Sequence, residues 1–463
     1  MHTRIAQKLI FTLLLLTAVF FTVAVSRAAS SVAWDVAHDR VTADVQKQPL
    51  FQTLEDVAHQ TGWHIFVEPE AARLVDVKFK NLPGGEALHK LLGTLNFAFV
   101  PMTNEASQLY VFLTAQGNAT RPLGIPVVAK SSKPSYVTNE LIVKLKPGAD
   151  IDAIAKSVNA RIVGRDDALG IYRLQFDSTA DMEAALAKLK TNDEVAAVEH
   201  NYYYDAPQKP QPVSNVPANQ TKLTLDDSKP NDPCHPIVAV IDTQVTSLGS
   251  DLDKFVLKPV SVVGDNLPAA DGVTHGTAMV SAVLDAIAQS SGGHSGVKIL
   301  PIIVYDSGEQ TTTWPVALGV QAAWKNHATV LNMSLGGAGD SAILNDIIQQ
   351  ALAKGVVIFA AAGNTPVTTP TYPAAIPGVN AVTALGARGQ LAPYANYGNF
   401  VSLALPGANV VQQGNQSFVV QGTSTATAYA SGVAAGTKGV DCQSWSQITS
   451  AMQQKFPVPA KTN

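Results

Sequence analysis

The stretch from Gln421 to Gly436, Gln-Gly-Thr-Ser-Thr-Ala-Thr-Ala-Tyr-Ala-Ser-Gly-Val-Ala-Ala-Gly, constrains this chain most. Two glycines, Gly422 and Gly432, bracket a run of small residues. Gly422 permits a tight backbone turn. From Thr423 onward the alanine-rich sequence favours helix and lets neighbouring elements approach closely. Ser424 then falls in the first helical turn, where backbone N–H groups lack intrahelical partners and the dipole favours negative charge. Such a serine is placed to form and stabilise an oxyanion. Taken alone, the stretch fits an ordinary capping or packing serine better.

Four further segments accompany it. Ile237-Val238-Ala239-Val240-Ile241-Asp242-Thr243 is a short apolar run ending in a carboxylate. Thr274-His275-Gly276-Thr277 precedes a helical pattern. Asn332-Met333-Ser334-Leu335-Gly336-Gly337 and Ala360-Ala361-Ala362-Gly363-Asn364 come next. In this order and spacing, residues 234 to 440 resemble the subtilisin-like serine proteases, whose triad also runs Asp, His, Ser along the chain.

The resemblance implies roles. Ser424 is the nucleophile, His275 the base that takes its proton, and Asp242 the carboxylate that holds the imidazole tautomer. The Asn364 side-chain amide and the Ser424 N–H would form the oxyanion hole. Ser334, Leu335 and Gly336 would pair with an extended substrate backbone, and Thr371 would narrow the first specificity pocket. Singly, each residue also fits a cap, a turn or a satisfied polar group.

Four positions depart from the family pattern: Gln244 for glycine, Ala278 for a second histidine, Thr425 for methionine and Ala428 for proline. They keep a rival reading open, a catalytically inactive envelope binding or sensing protein. Ala286 to Gly296 is short for the calcium loop of many relatives. No cofactor is expected; calcium stays open, with no site identifiable.

With 463 residues and 46% apolar content, the chain can build several cores. A charged fraction of 15% and a net charge of −4 give no sign of a nucleic-acid partner. Arg4 and Lys8 precede the uncharged run Leu9–Val25 and the small residues Ser26-Arg27-Ala28-Ala29. Residues 1–29 read as a signal peptide, the competing reading being an uncleaved anchor. Either reading places the rest outside the cytoplasm, secreted or periplasmic. Cys234 and Cys442 flank the catalytic region, and a bridge between them would tie its ends, the alternative being two separate thiols.

Residues 34–115 read as a small αβ domain with helices over 49–62, ended by Gly62, and 85–95. Gln48-Pro49-Leu50 before Leu54 and the segment Gly62 to Val67 resemble the short N-terminal domain of secretins and TonB-dependent receptors. The resemblance implies a protein partner in the bacterial envelope. A generic αβ domain fits the same pattern.

Residues 136–205 follow the order βαββαβ, a ferredoxin-like arrangement. Glu140 to Gly148 and Val198-Glu199-His200-Asn201-Tyr202 resemble the inhibitory propeptides of subtilases, which implies an intramolecular inhibitor whose tail, Asn201 to Asp205, enters the active-site cleft. Residues 206–233, with six prolines among polar residues, read as an extended linker and a natural place for a maturation cut.

From 234 to 445 apolar strands alternate with helical patterns. The fold class expected is α/β: a subtilisin-like parallel sheet with helices on both faces, preceded by two small αβ domains. The function expected is an exported serine endopeptidase made as an autoinhibited zymogen, acting on protein or peptide substrates.

Overall fold

The computed structural model describes residues 31–36, 38–100, 107–114, 119, 121–123, 135–205, 207–213, 224–227, 234–264, 267–270, 272–307, 309–413 and 416–459. The segment read as a signal peptide lies outside them. The chain divides into two compact units, one comprising residues 1–119 with 123–126 and the other essentially the remainder.

In the first unit β1 (Ser31–Asp35), β2 (Arg40–Pro49) and β4 (Leu74–Pro83) form one sheet. A second sheet holds β5 (Asn96–Val100), β6 (Gln108–Phe112), β3 (His64–Val67) and β7 (Arg121–Leu123). Helices α1 (Leu50–Thr61) and α2 (Gly84–Leu92) bury Leu50, Leu54, Val57, Leu88, Leu91 and Leu92. Gly62, at φ +72°, ends α1 in the left-handed region.

The second unit opens with a four-stranded antiparallel sheet. It comprises β8 (Tyr136–Leu145), β9 (Arg161–Asp166), β10 (Ile171–Gln175) and β11 (Val195–Tyr202) in the order β11-β8-β10-β9. Helices α3 (Ile151–Ser157) and α4 (Thr179–Leu189) cover one face. The ferredoxin-like order read from the pattern is the order observed.

The stretch read as a linker is not detached from the catalytic region. Gln211–Val213 forms β12. Leu225 is buried in the core, and Asp226 accepts the N–H of Ser295. A polar, proline-rich composition hides such short pairings, because a three-residue strand has no readable period.

The catalytic region is a seven-stranded parallel sheet. Its strands are β13 (Ile237–Asp242), β14 (Val260–Ser261), β15 (Lys298–Ile303), β16 (Val330–Met333), β17 (Val357–Ala361), β18 (Asn380–Leu385) and β19 (Leu403–Pro406), in the order β14-β15-β13-β16-β17-β18-β19. A hairpin of β20 (Ala408–Gln413) and β21 (Gln416–Gln421) pairs with β12. Helices α5 (His275–Ser291) and α8 (Thr423–Asp441) pack on one face of the sheet. Helices α6 (Thr313–Lys325) and α7 (Ala342–Ala353) pack on the other. Helix α9 (Trp445–Lys455) seats Ile448 and Met452 in the first of these cores, so the folded region runs past the boundary at 445 expected from the pattern.

Small residues let α5 and α8 touch. A Cβ at Gly432 would stand 2.4 Å from the Val283 carbonyl oxygen, closer than atoms tolerate. The strand order reverses at β13, with β15 on one side and β16 on the other. Open α/β sheets bind ligands at the carboxyl edge beside such a reversal. A Cys234–Cys442 disulfide, closing a separation of 208 residues, joins the ends of the region.

Candidate active site

Asp242 is the last residue of β13 and is 1% exposed. His275 is the first residue of α5, whose N-cap Thr274 accepts the Thr277 N–H. The His275 Nδ1 lies 2.8 Å from Asp242 Oδ1 and 2.9 Å from Oδ2. With Nδ1 facing a buried carboxylate, Nε2 is left as the proton-accepting nitrogen. Close backbone approach holds the pair. Gly276 donates its N–H to Thr243 Oγ1 at 2.8 Å, and a Cβ there would come 2.5 Å from the Thr243 carbonyl oxygen.

Ser424 is the second residue of α8, entered through Gly422 at φ +147°. The preceding residue orients Asn364. Thr423 donates both its N–H, at 2.8 Å, and its hydroxyl, at 3.0 Å, to Asn364 Oδ1. Two donors on the oxygen fix the amide's orientation and turn Nδ2 away from them. Asn364 follows Gly363, at φ +106°, just past β17.

Ser334 lies immediately past β16, buried beside Asn332. Its hydroxyl accepts from the Asn332 amide at 2.9 Å and donates to the Ser424 carbonyl at 3.0 Å. The Ser424 hydroxyl donates to the Ser334 carbonyl at 3.2 Å. Asp242 and His275 are thus joined directly, and Ser424 is joined to Ser334 and, through Thr423, to Asn364. No hydrogen bond among the described residues links Ser424 to His275. Three of the four departing residues, Ala278, Thr425 and Ala428, are fully buried, and Thr425 Oγ1 has no hydrogen-bond partner.

The segment after β11 fills the cleft between two loops. Tyr203 forms an antiparallel bridge with Thr312, and Tyr204 donates its N–H to the Thr311 carbonyl at 3.2 Å. Asp205 donates its N–H to the Gly336 carbonyl at 2.9 Å, while its own carbonyl accepts the Tyr305 hydroxyl at 3.2 Å. Gly336 therefore pairs with the chain's own residue 205; Thr311, Thr312 and Tyr305, which also meet this segment, were not foreseen. Thr371 hydrogen-bonds the Ala362 carbonyl beside Gly363.

The same strand anchors two catalytic-region helices. Glu199 accepts the Ile343 N–H at 3.2 Å and the Ser341 hydroxyl, at the start of α7. Asn201 accepts the Trp314 N–H at 3.1 Å, at the start of α6, and donates to Glu140 at 2.8 Å. Residues two apart on a strand share a face. One face of β11 therefore supplies caps to two helices whose first N–H groups lack intrahelical partners. Ile142, Leu169 and Ile171 bury themselves with Val316, Val320, Ile343 and Ile347 behind these caps.

Among the described residues, no group of three or more His, Cys, Asp or Glu side chains is placed to hold a metal ion.

Comparison with known proteins agrees with this geometry. The profile of the subtilase family matches residues 235–456, and that of the fervidolysin N-terminal prodomain matches residues 124–201. A thermophilic serine proteinase of Bacillus sp. (strain AK1) is 30% identical over 318 residues, covering 65% of this chain and 78% of the relative. Thermitase of Thermoactinomyces vulgaris is 32% identical over 203 residues, covering 42% of this chain and 72% of the relative. The crystal structure of fervidolysin from Fervidobacterium pennivorans superposes with a TM-score of 0.55 at 22% identity, covering 69% of this chain and 57% of that one. The chain belongs to the subtilase family. It is a serine endopeptidase carrying an N-terminal prodomain.

Proposed function

We propose that this endopeptidase cleaves peptide bonds through Ser424, with His275 as general base and acid and Asp242 as its orienting carboxylate. In this reading Ser424 Oγ attacks the scissile carbonyl while His275 Nε2 takes its proton. Asn364 Nδ2 and the Ser424 N–H, at the positive end of α8, receive the oxyanion. His275 then gives the proton to the leaving amine, and water releases the acyl group by the reverse sequence. The observation that carries the reading is the buried Asp242–His275 pair at 2.8 Å, set at the same sheet edge as a serine whose neighbour, Thr423, fixes the Asn364 amide.

The prodomain holds the enzyme latent in this account, since its tail takes the backbone positions an extended substrate would need at Gly336 and Thr311. Export is proposed from the charge and hydropathy pattern of residues 1–29, and docking to an envelope protein from the resemblance of residues 34–115; no described helix is long and apolar enough to cross a membrane. Turnover of a chromogenic peptide by processed enzyme tests the catalytic reading against the inactive-relic alternative. Hydrolysis lost in Ser424→Ala supports it; equal hydrolysis in both proteins contradicts it.

A further inference from the structure

The segment that crosses the cleft keeps one register along the Gly336–Gly339 loop as far as Asp205. A Cβ at Gly339 would meet the Tyr202 ring at 2.5 Å, and one at Gly337 would lie 3.5 Å from the Tyr204 Cα. Asp205 then donates to the Gly336 carbonyl. As one residue number rises the other falls, so the two segments run antiparallel. Along one edge of an extended strand the hydrogen-bonding groups recur every two residues. Carried forward at this register, the residue opposite the Ser334 carbonyl would be 207.

Residue 207 is proline, which has no N–H to give. The Ser334 carbonyl accepts the Ser424 hydroxyl instead, at 3.2 Å. Beyond this point the chain is held again. Gln211, Pro212 and Val213 pair with Val419, Phe418 and Ser417 of β21, the strand that leads into Gly422 and Ser424. The polypeptide is thus paired through Asp205 on one side and through Gln211–Val213 on the other, and the same register carried forward would set the Pro207–Gln208 bond between them.

We infer that Pro207 makes the strand filling the cleft a bound inhibitor of its own serine rather than a substrate, so that the prodomain junction resists self-cleavage at Pro207–Gln208. The inference rests on the reading of Ser424 as nucleophile. A residue 207 with an N–H would claim the Ser334 carbonyl, release the Ser424 hydroxyl to turn toward His275 Nε2, and seat its own carbonyl near Asn364. Ser424 Oγ would then bond to that carbonyl carbon as its proton passes to His275. The carbon–nitrogen bond to Gln208 would break, with the proton leaving on the Gln208 amine. Water would next free the new carboxylate at residue 207 and restore Ser424. Proline removes the hydrogen bond that starts this sequence. Separation of the prodomain then requires a cut at another bond.

The test uses the full precursor as wild type, as Pro207→Ala and as Pro207→Ala/Ser424→Ala, with new N-termini mapped by mass spectrometry. Pro207→Ala should acquire an N-terminus at Gln208, absent from the double variant, and should lose its precursor band about tenfold faster than wild type, the effect of one recovered hydrogen bond. Should Pro207→Ala fold poorly, synthetic peptides spanning residues 201–211 are offered to processed enzyme. The native peptide should inhibit and survive, and the alanine version should be split after residue 207. Cutting of the wild-type precursor at Pro207–Gln208 as fast as the variant would overturn the inference. So would survival of the alanine peptide beside an enzyme that hydrolyses other peptides. Failure of processed enzyme to take a fluorophosphonate label removes the nucleophile itself, and with it the inference, and is seen separately from either result.

Discussion

The carboxylate of Glu199, in the last prodomain strand, accepts the backbone N–H of Ile343 at the start of α7 at 3.2 Å. Burial is the main cause that pushes this carboxyl up to about 7; the Ser341 hydroxyl and the Ile343 and Ala342 N–H groups pull the other way, and Asp340 adds to the rise. An acid raised above its ordinary value of 4.5 contributes stability that is full below that value and is lost as pH rises through about 7. The prodomain should therefore hold the enzyme less firmly at about pH 8 than at about pH 5. Thermal midpoints of the precursor across this range check it, and Glu199→Gln should flatten the profile. A Glu199→Gln profile as steep as the wild type would contradict the assignment.

Asn201 tests the second cap without a titration. Asn201→Ala leaves the Trp314 N–H without its partner and takes one hydrogen bond from the buried Glu140 carboxylate, which keeps Arg173 at 3.7 Å, at a cost of about 1–3 kcal/mol. The precursor should unfold at lower denaturant and leak more peptidase activity before processing, while processed enzyme, which does not use Asn201, should keep its kcat.

Asn364→Leu should lower kcat by about 100- to 1000-fold with a small change in KM, because the donor acts on charge that develops only in the transition state. Asp242→Asn should lower kcat by on the order of 10⁴-fold through the wrong imidazole tautomer. Steady-state kinetics on one chromogenic peptide measure both.

Gly276→Ala tests the packing beneath the histidine. The added methyl would meet the Thr243 carbonyl oxygen at 2.5 Å and that of Gln244 at 3.0 Å, both backbone atoms. Overpacking of this kind costs about 1–3 kcal/mol. A lower melting temperature with reduced kcat is expected, and unchanged values for both would contradict the close-approach argument.

Much of the site was legible because each motif sits where a strand ends or a helix begins. Asp242 closes an apolar run, His275 follows a capping threonine, and Ser424 follows a glycine that opens a helix of small residues. Other parts carried no local signal. Asn380–Leu385 and Leu403–Pro406 are parallel strands buried on both faces, so they lack the alternation that marks a half-exposed strand. The role of Glu199 depends on a helix 142 residues away, and that of Thr423 on Asn364, 59 residues away. Such roles are properties of the assembled sheet edge, not of any window of sequence.

The most direct test of the account is the mass of processed enzyme after exposure to a fluorophosphonate probe. One adduct on the peptide containing Ser424, absent in Ser424→Ala and strongly slowed in His275→Ala, is the result the account predicts. An unlabelled processed wild type, or an adduct that persists in Ser424→Ala, would contradict it.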